Sequence, residues 1–169
     1  YLVNKFGSME RIQPMIDNLL VVGKEEGIAF DFGSESISIN TLPLHQLLHV
    51  AGEEGFKDEL KERFFKAYFE ENLRLNDMIV LRSLMASYGW SNEKVEGIVA
   101  DQGIGQLVKS EIAHYQQRGV TGVPFFVIND TYGISGAQSK EAFLKAFASV
   151  APKTPIEEGL SCDLGTGVC

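Results

Sequence analysis

Cysteine is nearly missing from this chain: the only two in 169 residues, Cys162 and Cys169, fall in the last eight. Two thiols so placed exclude a secreted disulfide scaffold, in which several bridges staple a small core along its length. Basic charge is also scarce. Fifteen Lys and Arg stand against 23 Asp and Glu, a net charge of −8. The cations are scattered rather than clustered, which excludes the dense phosphate contacts of a nucleic-acid binder. No apolar run approaches the roughly 20 residues of a membrane-spanning helix. The opening Tyr-Leu-Val-Asn-Lys-Phe-Gly has none of the basic start, apolar middle and small-residue cleavage site of a signal peptide. These absences set the expectation of a cytoplasmic protein with no membrane and no nucleic-acid partner.

What is present is a globular composition, 44% hydrophobic and 22% charged, with eleven Phe to one Trp. It suits one well-cored domain. Up to residue 118 the apolar period is helical. Met15, Ile16, Leu19, Leu20 and Gly23 form a stripe, and Pro14 fits best in an early turn, so a helix is predicted from near Gln13 to a stop at Gly27. Asn40-Thr41 before Leu42-Pro43 is a helix start, with Leu44, Leu47, Leu48 and Ala51 on one face. Leu60, Phe64, Ala67 and Tyr68 mark an amphipathic helix over 56–71. Asn76-Asp77 caps another, through Leu81, Leu84 and Met85 to Gly89. Ser91 starts a short one through Val95 and Val99, and Gly105 to Arg118 closes the series at Gly119.

After Gly119 the period drops to two. Phe125 to Ile128 reads as a strand buried on both faces, Asn129-Asp130 as a turn, and Thr131 to Ser135 as the returning strand. Ser139 caps a last helix, with Phe143, Leu144 and Phe147 predicted to face inward. From Pro152 the composition turns to Pro, Gly and acids. The expected organisation is a mainly helical part over 1–118, a β-hairpin plus helix over 119–151, and a tail over 152–169. Two strands do not make a stable sheet alone, so the sheet is expected to be incomplete.

Two stretches carry a resemblance: Gly119-Val-Thr-Gly-Val-Pro-Phe-Phe, and Ser-Gly-Ala-Gln at 135–138. With YLVNKFGS (1–8), NTLPLHQLLHVAGEEG (40–55) and FFKAYFEE (64–71) before them in order, they resemble the DsbA-like thioredoxin superfamily, its FrnE-like branch in particular. The likeness implies an α/β fold of thioredoxin-like (DsbA) type with a large helical insertion, here missing its N-terminal β-α-β part. It implies thiol–disulfide oxidoreductase activity, with thiol or disulfide proteins or small thiols as substrates and no cofactor. It also implies a cis bond at Val123-Pro124, in a loop with Gly122 that offers its backbone edge to an extended substrate. A proline that merely opens a strand is the plainer reading. The catalytic Cys-x-x-Cys of the family is not among these 169 residues, so the resemblance implies a portion of a longer oxidoreductase.

The remaining candidates are weaker in motif. Cys162 and Cys169, with six residues between them, are a candidate accessory redox pair, since some members of the branch carry an extra C-terminal pair. Nearby Glu157, Glu158 and Asp163 would raise a thiol pKa, and tail thiols without a role are the plainer reading. His45 lies in a segment that the branch places near the active-site cleft, which makes it a candidate substrate contact. His45 and His49 stand at i, i+4, but Gln-Leu-Leu between them is not the H-E-x-x-H of a zinc site, and no metal is expected. Two readings of other classes stay open. One is a redox-inert module holding extended peptides at Pro124. The other is a glutathione-dependent transferase or isomerase of a related branch, against which Ser-Gly-Ala-Gln speaks. An open edge beside Phe125 to Ile128 leaves room for a homodimer.

Overall fold

Local signals decide where most helices of this chain begin and end. A computed structural model of the protein describes residues 7–32 and 37–150. They form seven helices and two strands, in two compact units that divide between Ala113 and His114. Helix α1 runs Met9–Glu25 and ends in a Schellman motif: the Ile28 N–H donates to the Gly23 carbonyl at 2.7 Å and Gly27 takes φ +78°. Its start lies four residues before the predicted one, with Pro14 inside the helix. Burial of Ile12 in the turn before Pro14 anchors that extra turn.

Helix α2 is Leu42–Glu53, α3 Lys57–Phe69, α4 Met78–Ala86 and α5 Asn92–Ala100. The predicted caps are in place. The Asp77 carboxylate accepts from the Ile79 N–H at 2.8 Å, and the Ser91 hydroxyl accepts from the Lys94 N–H at 3.2 Å. These four helices enclose the core of the first unit. Leu44, Leu47 and Ala51 of α2 meet Leu60, Phe64 and Ala67 of α3, with Leu81, Leu84 and Met85 of α4, Trp90, and Val95 and Ile98 of α5. Each large aliphatic side chain fully withdrawn from water there contributes about 1.5–3 kcal/mol.

Helix α6, Gln102–Gln117, starts three residues earlier than predicted. The Asp101 carboxylate accepts from the N–H groups of Gly103 and Ile104 at 2.7 and 3.1 Å. That cap outweighs the low helix propensity of Gly103 and Gly105. In the second unit, β1 (Phe125–Ile128) pairs antiparallel with β2 (Tyr132–Ser135), in the register Phe125 opposite Ser135 and Ile128 opposite Tyr132. Asn129 and Asp130 both take positive φ, 50° and 54°, as a type I′ turn requires. Helix α7, Lys140–Val150, packs on β1, and the Phe126 and Phe143 rings meet edge to face at 4.9 Å.

Two predicted burials do not hold. Phe126 and Val127 of β1 are exposed, and so are Leu144 and Phe147 of α7. A two-stranded sheet covers only a narrow stripe of a helix, and here Ile134 and Ala146 take the buried positions. Among the described residues, no helix is long and apolar enough to cross a membrane.

Candidate functional site

The loop ahead of β1 is shaped by the two segments that flank it. Helix α6 ends on Gly119, at φ +90°, with the Val120 N–H donating to the Tyr115 carbonyl at 3.1 Å. This second Schellman motif turns the chain out of the helix and into Gly122-Val123-Pro124. The Val123-Pro124 bond is cis, as the resemblance implies. Val123 is 91% exposed, the most open of the large apolar side chains among the described residues.

The Ser-Gly-Ala-Gln segment holds this loop from behind. Its Gly136 N–H donates to the Pro124 carbonyl at 2.8 Å, and the Gln138 amide donates to the Ser135 carbonyl at 2.8 Å. Gly136 sits at φ +81°, where a side chain would be strained. The two signature stretches are therefore parts of one device, a relation that the spacing of the sequence does not show. One more glycine serves the same place. A Cβ on Gly133 would come within 2.9 Å of the Phe125 ring, so the ring of the first strand residue lies across β2 only because that position is bare.

The chemistry of the loop follows from its residues. Gly122, Val123 and Pro124 offer an apolar side chain and backbone groups, and none of them titrates. The loop can align an extended chain, but it supplies neither a nucleophile nor a proton. The other candidate residues lie elsewhere. His45 is exposed on α2 in the first unit, one turn from the Asn40 carboxamide, which accepts from the Leu42 N–H at 3.1 Å. His49 is half-buried and lies 3.9 Å from the Glu53 carboxylate. Cys162 and Cys169 lie outside the described residues.

The reading by residue type missed Gln46. Its side chain is 4% exposed between Leu44 and Leu47, and its amide nitrogen donates to the carbonyls of Ile98 and Asp101 at 3.0 Å and of Val99 at 3.4 Å. It is thereby a second donor to the Ile98 and Asp101 carbonyls, which also accept from the N–H groups of Asp101 and Gly105, and it ties α2 to the junction of α5 and α6. A polar residue inside an apolar stripe was the available signal. Gly105 of α6 packs against this amide, with 3.4 Å between its nitrogen and a Cβ built there. A groove of about 580 Å³ opens over the junction, between Leu42, Asp101, Gln106 and Lys109. The Asp101 carboxylate is already engaged in its cap.

A third polar cluster joins the ends of α2 and α5. The Glu54 carboxylate accepts from the Lys94 ammonium and from the Trp90 indole N–H, the latter at 2.8 Å, and Lys94 stands 4.4 Å over the Trp90 ring. The Lys94 bond first, and the Trp90 bond second, hold the Glu54 carboxyl below the usual glutamate range.

The hairpin, the cis-proline loop and the helical first unit together define the class. The DSBA-like thioredoxin domain matches residues 3–148, and the chain belongs to that family. Among individual proteins it is similar to the uncharacterized protein YwbO of Bacillus subtilis (strain 168). The two are 27% identical over 143 residues, covering 84% of this chain and 68% of YwbO.

Proposed function

We propose that this chain carries the substrate-facing part of a thiol–disulfide oxidoreductase. In this reading Gly122, Val123 and Pro124 form the edge on which an extended dithiol or disulfide protein lies. The single observation behind the reading is the loop itself: an open Val123 beside a backbone fixed by the bond from Gly136 to Pro124. Exchange needs a thiolate that attacks a substrate sulfur, expels the other sulfur as a thiolate, and is itself released by a second thiol. Residues 1–161 contain no cysteine, so that pair is supplied from outside them. Cys162 and Cys169 take the accessory role, and exposed His45 a substrate contact. The low cysteine content fits a cytoplasmic setting.

The test uses the protein as its source cell makes it, with a fluorescent dithiol peptide as substrate. Val123→Asp sets a charge where an apolar contact forms, and it should raise KM about tenfold, the cost of losing one well-placed apolar contact, with kcat little changed. Unchanged KM would remove the loop from the binding edge. The absence of cysteine from the described residues also favours a second reading, a redox-inert binding module. That reading predicts peptide binding sensitive to Val123→Asp without any dithiol turnover. Turnover that requires glutathione and spares dithiol peptides would instead mark the transferase or isomerase branch.

A further inference from the structure

Helix α1 is held to the first unit along a narrow line. Helix-on-helix contact in that unit runs between α2 and α3, α2 and α5, and α4 and α5. Among the described residues α1 makes no contact of that extent with another helix. Its buried residues are Ile12 and Gly23, and Gly23 is seated so tightly that a Cβ would come within 2.4 Å of the Phe30 ring. The apolar arc of the helix is wider than this line. Met15, Leu19 and Val22 are 48%, 46% and 45% exposed, although the pattern of the sequence assigns Met15 and Leu19 to a buried stripe. Together with Ile12 they read a-d-a-d in a heptad repeat over 12–22. Helical stability in proteins comes mainly from packing an amphipathic face, and this second apolar stripe along α1 stands open to water.

The charges choose what covers it. In this register Arg11, Asn18 and Glu25 hold the g positions. All three are exposed, and neither Arg11 nor Glu25 makes an ion pair among the described residues. Residues 11 and 25 stand seven positions on either side of Asn18. In an antiparallel pair about a twofold axis through Asn18, g faces g, so Arg11 of each copy meets Glu25 of the other. The same axis sets Leu19 against Met15 of the second copy, and Val22 closes the end of that seam, since Ile12 is buried within its own unit. A parallel pair would put g against e, here Ile16 and Gly23, and leave both charges unmatched. Glu10, Asp17 and Lys24 fall on the opposite face of the helix, where the Gln13 amide donates to Asp17 at 2.9 Å. One face is thus self-complementary in both apolar residues and charge.

We propose that α1 is a self-association surface on which a second copy of this chain docks its own α1 antiparallel. Met15, Leu19 and Val22 form the seam, and Arg11 and Glu25 bond crosswise. The test is sedimentation velocity on the full chain at low salt, from about 1 to 500 μM, a range suited to an interface at the small end of specific ones. A reversible dimer is expected, and Leu19→Glu should abolish it. Arg11→Glu and Glu25→Arg should each raise the dissociation constant roughly tenfold, because each sets two like-charge pairs across the axis. The double variant Arg11→Glu/Glu25→Arg should restore it to within about threefold. Should Leu19→Glu also lower helicity by circular dichroism, the charge exchange decides, since both of its positions are exposed. A monomer across the range overturns the proposal. So does a dimer that survives Leu19→Glu, which would point to the open edge of β1, and so does a double variant that fails to recover.

Discussion

Single residues in this protein carry weight where they close a polar account or leave room for a ring. Gln46 does the first. Gln46→Leu keeps the volume but removes one of two donors from the carbonyls of Ile98 and Asp101, which the N–H groups of Asp101 and Gly105 still reach, and should cost about 0.5–1.5 kcal/mol, read as a lower urea midpoint at unchanged slope. Equal midpoints would mean that water or a backbone shift takes over the bonds. Gly23 does the second. Alanine in mid-helix gains up to about 1 kcal/mol over glycine in propensity, so an exposed site would be stabilised by the change. Here the new methyl meets the Phe30 ring and the Ile28 carbonyl, and Phe30 is stacked on Phe32 and edge-on to Phe69. Overpacking of about 1–3 kcal/mol then wins, and Gly23→Ala should lower the melting temperature.

At the scale of the element, the joint between α2 and α5 depends on pH. Glu54 is held below the ordinary glutamate range by Lys94 and Trp90. A depressed folded-state pKa contributes stability that is present above the unfolded value, and it is lost as pH falls through the folded value. Acidification through and below the ordinary glutamate range should therefore weaken the fold, and Glu54→Gln should flatten that part of the profile. The variant should be less stable than the wild type at neutral pH and converge on it in acid. Parallel curves in urea titrations at successive pH values would show that the pair contributes nothing. A similar shift acts at the start of α7, where the Glu141 carboxyl is held low by a backbone N–H first and by the Ser139 hydroxyl second. That helix should fray in acid for the same reason.

For the whole molecule, the burial is lopsided. Among the described residues, the largest fully buried side chains, Leu47, Leu60, Leu75, Leu81, Met85 and Val95, all belong to the first unit. The second unit, from His114 on, buries Ile134 and Ala146 among its described residues and exposes Phe126, Val127, Tyr132, Leu144 and Phe147. Local stability follows buried apolar contact. Amide hydrogen exchange should then show the slowest protons in α2 to α5, with β1, β2 and α7 opening at a distinctly lower free energy. A hairpin as protected as α2 would mean that the exposed face is covered in solution, whether by a second copy or by further polypeptide.

Much of this was legible in the residues because it rests on local chemistry. Asp77, Ser91, Gly27, Gly119 and the Asn129-Asp130 turn act within four residues of themselves, so their types and spacing determined the element boundaries. The family signature did the same for the thioredoxin-like assignment and for the cis bond at Val123-Pro124. The register of β1 against β2 did not follow from the turn: a two-residue turn would set Ile128 opposite Thr131, and Ile128 lies opposite Tyr132. Other features were decided only by the tertiary structure, because they depend on what arrives from a distance. Which arc of α1 is covered depends on Phe30, not on the period of α1, and the exposure of Leu144 and Phe147 depends on how many strands lie beside them. The partners of Gln46 come from a helix more than 50 residues away. The bond from Gly136 to the Pro124 carbonyl exists because a hairpin folds two motifs together. A hydrophobic pattern shows which face of a helix or strand seeks cover, and only the packed chain supplies that cover or leaves the face open.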